Sequence, residues 1–81
     1  MKNHEAIEFA EAVIIGRDNS ETNEAVLMVA RGKIVEAKAY AQNGDDVMAQ
    51  QSAWQAVVRV AGIESWEANY LARATGILTE S

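Results

Sequence analysis

No cysteine occurs in this chain of 81 residues, so neither a disulfide nor a thiolate-bound zinc can hold it together. A domain of that length hides only about 60–65% of the surface its unfolded form exposes, and its own core contributes modest stability. The fold must rest on packed apolar side chains, and a partner subunit is an expected source of further burial. Hydrophobic residues make up 49% of the chain, charged residues 23%, and proline is absent. That is the composition of a packed domain and not of a disordered tail. No linker, internal repeat or low-complexity stretch interrupts it, so a single domain over residues 1–81 is expected.

Residues 4–15 predict a helix: on a 100° step Ala6, Ile7, Phe9, Ala10, Val13 and Ile14 share one side, and Glu5, Glu8 and Glu11 line the other. Asn3 can cap its start and Gly16 can close its end. Residues 17–24 are a polar connection. Residues 25–31 and 33–41 are rich in Val and Ile and meet at Gly32, which predicts a β-hairpin turning at Arg31-Gly32. The same stretch also fits a helical stripe of Val26, Ala30, Ile34, Ala37 and Ala41, in a chain with fifteen alanines. The β-branched residues around the glycine favour the hairpin.

Asn43-Gly44-Asp45-Asp46 is a turn into a long Ala/Val-rich helix over residues 46–61. Its apolar positions, including Val47, Ala53, Trp54, Val57, Val58 and Val60, spread over an arc of about 200°. An arc so wide needs cover on more than one side. Gly62 ends this helix, Ser65 can cap a short C-terminal one over residues 66–75, and Gly76 followed by Ile77 marks its stop. The expected fold class is therefore α+β, with an N-terminal helix, a hairpin and two further helices. The alternative is an all-α bundle of four helices.

The formal net charge is −5, and the acids crowd the first third of the chain. Glu5, Glu8 and Glu11 form a ridge on one helix face, and Asp18, Glu21 and Glu24 extend it into the next loop. Regularly spaced carboxylates can occupy a basic surface and speed encounter with it. Binding to nucleic-acid backbones is disfavoured, because it needs clustered Lys and Arg. No apolar run approaches the ~18–20 residues that cross a bilayer, and residues 1–5 lead into a glutamate-rich stretch, so a cytoplasmic protein is expected.

Reactive side chains are scarce. The single histidine, His4, could act as a base with Asp18 and Ser20, yet nothing in the sequence fixes their geometry. A carboxylate-dependent hydrolase could use Asp45, Asp46 or Glu64 with a divalent metal, but acids at the mouth of a helix, as Asp45 and Asp46 are, more often cap it. Gly32-Lys33 lacks the upstream glycine and following hydroxyl of a phosphate-binding loop. The chain thus reads as a non-enzyme without cofactor or metal.

The expected function is that of a small acidic protein-binding regulator. Its type resembles the inhibitors that bacterial viruses and mobile elements direct at nucleic-acid-handling host machines, in an anti-defence role. The expected partner-binding residues are Glu5, Glu8, Glu11, Asp18, Glu21 and Glu24, against a protein with a basic surface. The alternative is an assembly subunit that homo-oligomerises through the helix at 46–61, and a homodimer is expected, with Trp54, Val58, Trp66 and Tyr70 at its interface.

Overall fold

A computed structural model describes residues 2–18 and 23–77, with four helices among them. These are α1 (Asn3–Asp18), α2 (Glu24–Gln42), α3 (Asp46–Ala61) and α4 (Trp66–Thr75). The described residues contain no strand, so the bundle is all-α and the expected α+β class is corrected.

The hairpin expected over residues 25–41 is instead the continuous helix α2. Gly32 has no positive φ, so the chain does not reverse there. Leu27, Ala30, Ile34 and Ala37 are buried at helical spacing. Four buried side chains outweigh the about 1 kcal/mol that one glycine costs a helix. The β-branched Val29 and Val35 sit on the exposed side, where strand preference had no sheet to serve. Gly16 is likewise inside a helix, since α1 runs on to Asp18 and Gly16 has no positive φ. Asn3 does not act as a simple cap. Its side chain accepts from Gln50 Nε2 at 3.0 Å and donates to Asp46 Oδ1 at 2.6 Å, tying the starts of α1 and α3 together.

The other boundaries follow from local chemistry. Asn23 caps α2 by accepting from the Ala25 amide, Asp45 caps α3 by accepting from Met48, and Ser65 caps α4 by accepting from Ala68. Gly62 and Gly76 close α3 and α4 with φ of 93° and 82°, where a side chain would be strained.

The helices alternate in direction. Asn3 meets Asp46 at one end of the molecule and Arg17 meets Glu67 at the other, so α1 and α3 run parallel with α2 and α4 antiparallel to both. The central α3 packs on all three other helices and α1 also touches α2 and α4, while α2 and α4 do not meet among the described residues. The cross-section is a rhombus with α1 and α3 on its short diagonal, a slab of 33 × 30 × 15 Å. Two broad sides result, one centred on α1 and one on α3.

What allows so thin a slab is alanine. Ala6, Ala10, Ala30, Ala37, Ala53 and Ala56 have no exposure, and the largest fully buried side chains are only Leu27, Leu71, Val57 and Ser52. Small side chains let helix axes approach to the short end of the usual 8–10 Å range. They leave no room for rings, so Phe9, Tyr40 and Trp54 lie half-buried at the edges and Trp66 and Tyr70 are exposed.

Candidate protein-docking surfaces

On the outward face of α1, Glu8, Ala12, Ile15 and Gly16 are exposed, as Cβ directions 100° apart require once Ala6, Ala10 and Ile14 point inward. Ala12 and Gly16 make this a low ridge with a groove on each flank. Towards α4, a shallow, open groove of about 420 Å³ lies between Phe9, Val13, Gly16 and Trp66. Phe9 is its anchor: Trp66 meets it edge-on at 6.3 Å between ring centroids, and Tyr70 lies 5.0 Å away at a tilt of 37°. Arg17 holds the far end through a 3.2 Å ion pair to Glu67, whose side chain is 12% exposed.

Towards α2, a groove of about 280 Å³ is lined by Ile14, Ile15, Ile34 and Val35, with Arg31 and Lys38 on its rim. Met28 falls on the same α2 stripe as Arg31, Val35 and Lys38. Of the large hydrophobic residues left exposed, Ile15, Met28, Val35, Trp66 and Tyr70 are therefore gathered on the α1 side. The α3 side carries a third groove, of about 510 Å³, between Lys33, Trp54, Gln55, Val58 and Arg59. Trp54 is fixed there by donating its indole N–H to the Ala68 carbonyl at 3.1 Å.

The residues expected at a homodimer interface thus divide, with Trp66 and Tyr70 on the α1 side and Trp54 and Val58 on the α3 side. The apolar arc of α3 is covered from within at Ala49, Ala53, Ala56, Val57 and Val60, while Val47 is exposed and Trp54 and Val58 are half-buried. The acidic set is also dispersed. Glu5 and Glu8 are exposed at the start of α1, Glu11 accepts from Lys38 Nζ at 3.1 Å, and Glu24 lies 3.8 Å from Arg31. The Asp18 side chain and Glu21 lie outside the described residues.

His4 and Asp18 occupy opposite ends of α1, roughly 20 Å apart at 1.5 Å per residue, and Ser20 lies outside the described residues. Asp45 is engaged as the α3 cap and Glu64 stands beyond the other end of that helix, so the three acids considered for a metal do not converge. Among the described residues no group of three or more His, Asp or Glu side chains is placed to hold a metal ion. No described helix is long and apolar enough to cross a membrane.

The residues that sequence reasoning missed are Ala12, Ile15, Met28 and Val35. The signal for Ile15 and Ala12 lay in the α1 wheel, opposite its buried stripe. Met28 and Val35 were hidden by the hairpin reading, which gave them the wrong neighbours. No family model matches the chain, and neither a curated protein nor a solved structure matches it.

Proposed function

We infer that this chain is a small non-enzymatic regulator that works by binding another protein chain, with the α1 side as its docking face. The observation that carries this is the placement of Trp66, 70% exposed, and Tyr70, 47% exposed, over Phe9 beside a ridge of small residues. Aromatic side chains held rigid at the edge of a shallow apolar groove are the residue types that dominate protein interfaces. A monomer seldom leaves so many large apolar side chains on one side without a use for them.

Charge has a secondary part. Glu11 and Glu24 are engaged by Lys38 and Arg31, so the exposed acids Glu5 and Glu8 form a short acidic rim and not a phosphate-like row. Such a rim steers encounter with a basic surface and contributes little to the final affinity. The test compares complexes formed by the wild type, by Trp66→Ala/Tyr70→Ala, and by Glu5→Lys/Glu8→Lys. The aromatic double variant should keep its helical circular dichroism and lose binding, while the charge variant should slow association and weaken its salt dependence. A complex of fixed stoichiometry unaffected by the aromatic variant contradicts the assignment.

A further inference from the structure

The groove of about 510 Å³ on the α3 side differs from the two beside α1 in carrying a cation that no acid of this chain engages. Arg17, Arg31, Lys33 and Lys38 are paired with Glu67, Glu24, Glu36 and Glu11, whereas Arg59 has no carboxylate partner among the described residues. Its place in the last turn of α3 suits the helix dipole and leaves the guanidinium exposed. Gln55, one turn earlier on α3, makes no side-chain hydrogen bond among the described residues either. Trp54 and Val58, also one turn apart, give the groove an apolar wall. The indole N–H of Trp54 is engaged by the Ala68 carbonyl at 3.1 Å, so the ring is held in place and offers a ligand apolar surface. We propose that this groove docks an acidic segment of another protein, in which a carboxylate pairs with Arg59 and a neighbouring large apolar side chain packs on Trp54 and Val58. This surface is separate from the α1 side and does not depend on it.

The free charge selects the occupant. A guanidinium presents two parallel N–H donors to a carboxylate, and such a bidentate pair is geometrically specific. A row of phosphates needs several free cations, and here Lys33 is shared with Glu36 at 3.4 Å. One unpaired guanidinium beside an apolar wall therefore suits a peptide and not a nucleic-acid strand. The net charge of −5 repels an acidic segment from the rest of the surface, which directs it to Arg59.

NMR titration of the nitrogen-labelled full chain tests this, with acetyl-Leu-Glu-Glu-Leu-amide, its neutral counterpart acetyl-Leu-Gln-Gln-Leu-amide, and inorganic phosphate as probes. The acidic peptide should give saturable shifts of the Trp54 indole N–H and the Arg59 side-chain N–H, and leave the Trp66 indole on the opposite side unmoved. Arg59→Gln, at an exposed position, should keep its helicity and weaken the acidic peptide about fivefold, as should removing the peptide's charges. The two changes should not add, because each removes the same pair. No saturable shift with the acidic peptide, or equal affinity for the neutral one, overturns the inference. A response at Trp66 in place of Trp54 overturns it by placing the peptide on the α1 side. Phosphate that moves the same signals as tightly as the acidic peptide overturns it too, since the groove is then an anion site with no requirement for a peptide.

Discussion

At Ala6 and Ala10 on α1, and at Ala53 and Ala56 on α3, the buried side chain is a single methyl without solvent exposure, which allows the two parallel helices a closer approach than leucines would. The aromatic rings that fill the centre of most small domains are displaced to the rim, where Trp66 and Tyr70 pack on Phe9. The exposed aromatic patch is thus a consequence of the core. Ala53→Leu adds three carbons where the methyl already fills its space, and should lower the unfolding free energy by about 1–3 kcal/mol in urea titration. An unchanged midpoint would mean that the helices are not held at alanine spacing.

Among the elements, α2 separates the two ways of reading the chain. Gly32 lies inside this helix without positive φ, and a Cβ built there meets nothing within 4 Å. Gly32→Ala should therefore raise stability by about 0.5–1 kcal/mol, through helix propensity and a less flexible unfolded state. A hairpin turn would make the same change destabilising, so its sign in a thermal melt decides between the two. Helices α3 and α4 were legible in the sequence because cap, apolar rhythm and closing glycine agree: Asp45 and Gly62 for one, Ser65 and Gly76 for the other. In α2 the signals conflict. Val26, Val29, Ile34 and Val35 argue locally for a strand, and only packing against α1 and α3 resolves them. The aromatic half of the candidate site, Trp66 and Tyr70, was proposed from residue type alone, and the structure places both rings on Phe9. The aliphatic half, Met28 and Val35, could not be placed until α2 was a helix.

For the whole molecule, the 15 Å thickness is the governing quantity. A slab two helices deep has two wide sides and little interior, so its own core contributes modest stability. The α3 side offers a groove edged by Lys33 and Arg59, whereas the α1 side gathers Ile15, Met28, Val35, Trp66 and Tyr70. The most direct measurement is the emission of Trp66 in a Trp54→Phe variant, followed with an aqueous quencher as a protein that the wild-type chain captures is added. Covering of the α1 side predicts emission that shifts to the blue and becomes quencher-protected as the complex forms. Emission characteristic of a water-exposed indole throughout, with the complex formed and helicity retained, would contradict the account.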